Sequence, residues 1–323
     1  MELAGAAEAA GFSSAWFAEN PFDRGVMPAA AACAAATSRL RIGIGVFNPY
    51  NRHPTLIAME IGALDELAWG RAVLGIGSGI GDAVERMGFG ADRPIAALRD
   101  AFAIIRPMLN GETVTHDGPV FSVNGVKLGY RPPRSDMKLF MAARGDQSLR
   151  LCGQVADGLM ISNMCSPGFT EYAVAVVREA ARAAGRQGPF EIIQYVPCAI
   201  DRDHDAAVRV AKETLGGMLP GFWKLGQRFA AAKAAMLRGS GITEAEFADA
   251  VDKLNAGAPA ARALDGPFVT SFAVAGTAEE CLAQSADYVK AGVTELVLTF
   301  VGAGPRDDMA DLGRLLKMGT VEN

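Results

Sequence analysis

Apolar positions along this chain follow two alternating rhythms. Short runs rich in β-branched and aromatic residues alternate with longer stretches in which apolar residues return every three or four positions. The short runs are Ser14–Glu19, Leu40–Phe47, Arg71–Ile76, Lys138–Ala142, Asp157–Ser162, Phe190–Ile200 and Glu295–Val301, and each is expected to be a strand. The helical stretches are Pro28–Thr37, Thr55–Ala68, Pro94–Leu109, Asp146–Val155, Phe169–Ala184, Asp205–Leu215, Ala278–Ala291 and Met309–Leu316. In the second of these, Ile57, Ile61, Leu64 and Ala68 fall on one face. Pro94 suits a first helical turn, and Asn110-Gly111 suits an end. Val114–Tyr130, where the period shortens and Gly, Asn and Asp recur, reads as a β-hairpin. Residues 216–262 read as helical throughout, and Val269–Ala275 as a short extended piece.

Strands alternating with helices imply parallel strands joined by helical crossovers. Seven such strands and a short extra one, with no linker or composition break between them, favour an α/β (β/α)8 TIM barrel over two dinucleotide-binding halves. The expectation is a single domain over residues 1–323, with 216–262 as a helical insertion over one end of the barrel. In that architecture the chemistry gathers where strands end and loops begin.

Composition narrows the function. Half of the chain is apolar, so a large core is available, and 31 basic against 36 acidic residues leave a net charge of −5. That balance argues against a nucleic-acid module, and no run reads as a membrane span or secretory signal. Five cysteines without a C-x-x-C pair read as reduced thiols of a cytoplasmic protein. The three histidines, His53, His116 and His204, lie far apart, so no zinc motif is present.

Two loops carry candidate chemistry. Gly75-Ile-Gly77-Ser-Gly79-Ile-Gly81 follows a strand but fails the G-x-G-x-x-G spacing, since Ile80 and Asp82 stand where the third glycine belongs. It is either a tight loop whose glycines supply positive φ or a place where a flat ring lies against backbone. In Phe140–Leu149, a strand runs through small residues into a helix start. Such a start seats an anion, and Arg144 adds a charged donor; the alternative is a routine strand–helix turn. Ser162-Asn163 places polar groups at the next strand end.

The run Arg41–Gly79, and within it Asn48-Pro-Tyr-Asn-Arg-His-Pro54, resembles the luciferase-like flavin and deazaflavin oxidoreductases, in particular the methylenetetrahydromethanopterin reductase branch. Gly11–Trp16, Leu64–Arg71, Ala142–Gly145 and Ala156-Asp-Gly158 agree, so the resemblance spans essentially the whole chain. It implies a barrel enzyme that uses the deazaflavin coenzyme F420 or, alternatively, FMN. It implies a non-prolyl cis bond near Gly45-Val46 beneath the ring, and phosphate contacts from Ala142, Ala143, Arg144, Gly145, Ser162 and Asn163. Asn48, Gly77, Ser78 and Gly79 would flank the ring or its ribityl chain.

The sequence departs from the family at two places. The first strand usually ends in Asp-His, whereas here Glu19-Asn20 stands, which bears on any acid–base role of Glu19. Met1–Ala10 reads as the first barrel helix, with no strand ahead of it in the sequence. The expectation is either a start assigned too far downstream or a gapped barrel completed by a partner chain.

Other residues carry two readings each. His53 either lines the pocket, with a pKa suited to proton transfer, or is structural. Arg52 is a candidate contact for a phosphate or cofactor tail. Asp65 and Glu66 with Arg71 read as structural ion pairing, and His116 and Asp117 as solvated. Trp69 and Trp223 read as packing or lid residues, and Trp16 as core. Met218, Phe222, Phe229 and Met236 form either a lid's inner face or core between insertion helices. Three functions follow: deazaflavin-dependent hydride transfer on a small-molecule substrate; an FMN monooxygenase fed by a separate flavin reductase; or a non-catalytic barrel. A homodimer is expected, and neither nucleic acid nor membrane is an expected partner.

Overall fold

The computed structural model describes residues 1–90 and 92–319. The strands are β1 (Ser14–Phe17), β2 (Arg41–Phe47), β3 (Ala72–Ile76), β4 (Val114–Asp117), β5 (Ser122–Val126), β6 (Leu139–Ala142), β7 (Gly158–Ile161), β8 (Glu191–Ile200), β9 (Val274–Gly276) and β10 (Glu295–Phe300). The helices are α1 (Glu2–Ala10), α2 (Met27–Ala36), α3 (Pro54–Leu67), α4 (Gly81–Arg86), α5 (Pro94–Leu109), α6 (Asp146–Val155) and α7 (Pro167–Ala183). They continue with α8 (His204–Arg228), α9 (Ala230–Leu237), α10 (Glu244–Asn255), α11 (Ala260–Ala263), α12 (Gly266–Phe272), α13 (Ala278–Lys290) and α14 (Pro305–Gly319).

Two compact units make up the chain. The first holds residues 1–143, 150–160 and 179–190; the second holds 144–149, 161–178 and 191–323. In the first, β1, β2, β3, β6 and β7 pair in that order and all in parallel, with Ala15 opposite Ile42, Ile42 opposite Ala72, Leu74 opposite Leu139 and Met141 opposite Leu159. In the second, β8 pairs in parallel with both β9 and β10. Parallel strands need helical crossovers, and in an all-parallel sheet both faces are covered; β3 and β7 are accordingly buried at every position.

Polar residues pin the first unit where helices meet strands. Asp65, wholly buried, accepts from the Ala72 N–H at 2.8 Å and pairs with Arg134 at 3.0 Å. Arg71 instead donates to the carbonyls of Leu40, Ala34 and Thr37. The expected pairing of Asp65 and Glu66 with Arg71 is therefore wrong: Glu66 is exposed, and Arg71 ties the end of α2 to the start of β2. The β4–β5 hairpin is held at its tip by the buried Asp100 of α5, which accepts from the Val120 and Phe121 N–H groups and from His116. His116 is thus partnered rather than solvated.

The second unit corrects two expectations and decides a third. Helix α8 does not stop at Leu215. It runs through Pro220 to Arg228, because Ala207, Ala211, Leu215, Leu219, Trp223 and Gly226 keep one face buried across the break in propensity. Trp223 stacks on Phe247 of α10 with ring centroids 5.4 Å apart, so it is core. Val269–Phe272 belongs to helix α12, and only Val274–Gly276 is extended. In the first unit α4, six residues long, has no counterpart among the expected elements. Trp69 is 89% exposed and packs in no core, whereas Trp16 is half-buried with its ring edge-on to Phe140.

All five cysteines are buried and free. Among the described residues no helix is long and apolar enough to cross a membrane, and no group of three or more His, Cys, Asp or Glu side chains is placed to hold a metal.

One carboxylate stands out in the second unit. Asp308, in the first turn of α14, is buried, and its Oδ2 has no hydrogen-bond partner among the described residues. Burial, helped by Asp311, Asp307 and Asp201, pushes it from an ordinary 3.8 up to about 6. The folded chain then holds this proton more tightly than the unfolded chain, so the group removes stability as pH rises through that range. Asp308→Asn is expected to melt higher than wild type at about pH 8, with the gap closing toward about pH 4, as thermal melts at both values would check.

Candidate active site

In the first unit the strand ends build a platform of small residues. The Gly45–Val46 peptide bond is cis, where the family resemblance places one, and the β2–β3 register shifts between Ile44 and Phe47. Val46 lies against β3: a Cβ added at Gly77 would stand 2.8 Å from Val46 Cγ2 and 3.4 Å from Ala142 Cβ. Val46, Gly77 and Ala142 thus meet at neighbouring ends of β2, β3 and β6 with no space for a larger side chain between them. Ala143 is buried beside them and Ser78 is half-buried. Gly79 sits at φ 76°, and the amide of Asn48 occupies the place its Cβ would take. Asn48 is buried, and its Oδ1 accepts from the Tyr50 N–H at 2.8 Å. Asn48 therefore shapes this loop, and its carbonyl is committed within it.

Glu19 and Arg52 are brought together across 33 residues. The Arg52 guanidinium donates from Nη2 and Nε to Glu19 at 2.8 and 3.2 Å, reaches Glu60 with Nη1, and lies 4.5 Å from the Phe47 ring centroid. The Glu19 carboxylate is thus engaged in an ion pair, and Arg52 is shared between two carboxylates. These two carboxylates hold the guanidinium above its ordinary range.

His53 caps α3. Its Nδ1 accepts from the Thr55 N–H at 3.3 Å and lies 2.8 Å from Thr55 Oγ1. With Nδ1 acting as acceptor, the neutral ring carries its proton on Nε2. The edge of the ring meets Phe121 from the hairpin tip, at 5.6 Å between centroids. That tip was not legible as a neighbour of His53, because the contact joins residues far apart in sequence. The residue is exposed overall, and what desolvation its ring meets lowers its pKa below 6.5.

The second unit holds Arg144, Ser162 and Asn163. Arg144 donates from Nε to Ser162 Oγ at 3.0 Å, and from Nη2 to the same oxygen and to the Asn163 carbonyl at 2.9 Å. Its Nη1 is buried without a hydrogen-bond partner among the described residues, and so is the Asn163 Oδ1. A buried guanidinium N–H with no acceptor costs several kcal/mol in roughly the way any desolvated charged donor does. The arrangement asks for an anion on Nη1 and a donor on Oδ1. Gly145 follows directly, with the Ala231 methyl 3.0 Å from where a Cβ would stand. Of the four insertion residues read as lid or core, Met236 is core, Phe229 is exposed, Met218 is half-buried, and Phe222 lies over Arg144 with 4.9 Å from Cζ to the ring centroid.

The sequence profile of the luciferase-like monooxygenases matches residues 1–295. The chain therefore belongs to that family of oxidoreductases. It is 30% identical over 295 residues to the 5,10-methylenetetrahydromethanopterin reductase of Methanolobus tindarius, and 28% identical over 297 residues to that of Archaeoglobus fulgidus. Each match covers 90% of this chain and 86% of the relative. The solved coenzyme F420 dependent tetrahydromethanopterin reductase of Methanopyrus kandleri superposes with a TM-score of 0.84 over 97% of this chain and 92% of that one, at 24% identity. The fold is the luciferase-like α/β TIM barrel.

His53 supplies the test of this geometry. In a proton-NMR titration its ring is expected to titrate below 6.5 with the Nε2–H tautomer dominant. A midpoint above about 7 would mean that Nδ1 carries a proton in the folded protein, and the cap assignment would fall.

Proposed function

We propose that this chain is a deazaflavin-dependent oxidoreductase. It transfers hydride to or from an electron-poor carbon of a small-molecule substrate, in the manner of the methylenetetrahydromethanopterin reductases it resembles. The observation that carries the reading is the buried, unpartnered Nη1 of Arg144 beside the unpartnered Oδ1 of Asn163, which fits a phosphate with a hydroxylated chain. The platform of Val46, Gly77 and Ala142 fits a flat ring held against backbone.

When bound, the deazaflavin supplies hydride-transfer chemistry at its ring C5. The protein's part is to bind, orient and exclude water. Arg144, fixed on Ser162 and the Asn163 carbonyl, takes a phosphate oxygen on Nη1. Asn163 Oδ1 accepts from a hydroxyl of the cofactor chain. His53, neutral and protonated on Nε2, offers a hydrogen bond to a substrate heteroatom. The Glu19–Arg52–Glu60 cluster holds the loop that carries His53.

We propose further that the protein works as a homodimer. Leu56, Met59, Ala63 and Leu67 form an exposed apolar stripe along α3, opposite its core face, and Trp69 extends the stripe. The stripe carries little charge, so a second copy of the same surface suits it better than an oppositely charged partner.

Two measurements test these readings. In paired fluorescence titrations, the protein is expected to bind the deazaflavin coenzyme more tightly than FMN. Arg144→Ala should weaken that binding by about 1.5–3 kcal/mol, roughly 10- to 150-fold. Tighter binding of FMN would replace this reading with an FMN monooxygenase supplied by a separate reductase, and an unchanged affinity in the variant would remove the phosphate assignment. In sedimentation, wild type is expected as a dimer and Trp69→Glu as a monomer; a monomeric wild type would end the dimer proposal.

A further inference from the structure

We infer that Phe222, on the insertion helix α8, is a positioning residue for the cofactor phosphate: its ring fixes the plane of the Arg144 guanidinium, and with it the direction of the Nη1 donors. The inference rests on the reading of Arg144 as the phosphate ligand.

The argument is one of degrees of freedom. A guanidinium is a flat fork with donors on its edges and none on its faces. Arg144 uses the edge formed by Nε and Nη2, which donates to Ser162 Oγ and the Asn163 carbonyl. Contacts along one edge leave the plane free to swing about that edge, as a door swings on its hinges. The swing carries Nη1, the atom without a partner, through the widest arc. A ring held against the guanidinium stops it. Arg144 Cζ stands over the Phe222 ring, 4.9 Å from its centroid, and the attraction between the cation and the ring's negative face restrains that swing.

Phe222 is itself well supported. Its neighbour Trp223 is buried and stacks on Phe247 with the two ring planes 6° apart. Phe247 packs in turn on Phe268 and Phe272 of α12. Phe222 packs against this same aromatic cluster, so the ring is presented from a rigid base. The insertion thereby becomes part of the cofactor site through a residue that need not touch the cofactor.

Affinity for the deazaflavin coenzyme, read by fluorescence quenching in the full chain, tests this with three variants. Phe222→Leu keeps an apolar side chain of similar bulk but removes the ring, and is expected to weaken binding about three- to ten-fold. Phe222→Tyr keeps the ring and is expected to bind within about twofold of wild type. Phe222→Leu combined with Arg144→Ala is expected to bind no more weakly than Arg144→Ala alone, because a residue acting through Arg144 has nothing left to position. Wild-type affinity in Phe222→Leu, equal losses in the Leu and Tyr variants, or full additivity in the double variant would each overturn the inference. If Arg144→Ala alone leaves affinity unchanged, the phosphate reading fails and this inference with it. If Arg144→Ala weakens binding while Phe222→Leu does not, only this inference fails.

Discussion

Two neighbouring parallel strands run the same way, so no tight turn can join them and the chain must return by a long crossover, usually a helix. That constraint sets the organisation of this protein. Each sheet strand must be followed by a long return, and the returns must be helices that bury one face. The strand interiors are then too crowded for chemistry, and the polar and small residues that differ from core composition appear where strands end. Val46, Gly77 and Ala142 in one unit, and Arg144, Ser162 and Asn163 in the other, all stand at or just beyond such ends.

The electrostatic pattern divides along the same lines. Charged groups that stabilise the scaffold are fully matched: Asp65 with Arg134 and a backbone N–H, Asp157 with Arg106 and Arg186, Arg52 with Glu19 and Glu60. Burying such groups is tolerable only because every donor and acceptor is met. Among the described residues Arg144 departs from that pattern at Nη1, as Asp308 does at Oδ2.

Much of this was legible in the sequence, and the failures have physical causes. The strands announced themselves because fully buried parallel strands need β-branched runs, as in Leu40–Phe47 and Arg71–Ile76. Arg144, Ser162 and Asn163 were legible because they stand immediately after such runs. Residues 205–215 and 216–262 were both legible as helical, but not that one helix joins them through Pro220, because the packing of Leu219 and Trp223 that carries it is tertiary. Val269–Phe272 has strand-like composition but packs its phenylalanines as a helix. Helix α4 is too short to show a period. The pairing of Glu19 with Arg52 was not legible, because nothing local reveals a partner 33 residues away, and the same holds for His53 and Phe121.

The hairpin between β4 and β5 has a consequence for how this protein can change. Asp100 holds its tip by two main-chain N–H groups, those of Val120 and Phe121, and main-chain groups are the same whatever side chain is attached. The loop's path is therefore largely independent of the side chains it carries at positions 120 and 121. One of those side chains, Phe121, stands against both His53 and Tyr50. Mutation at Phe121 can thus change what faces His53 while the main-chain anchor stays in place, although it also alters packing against Tyr50, Val84 and Ala97.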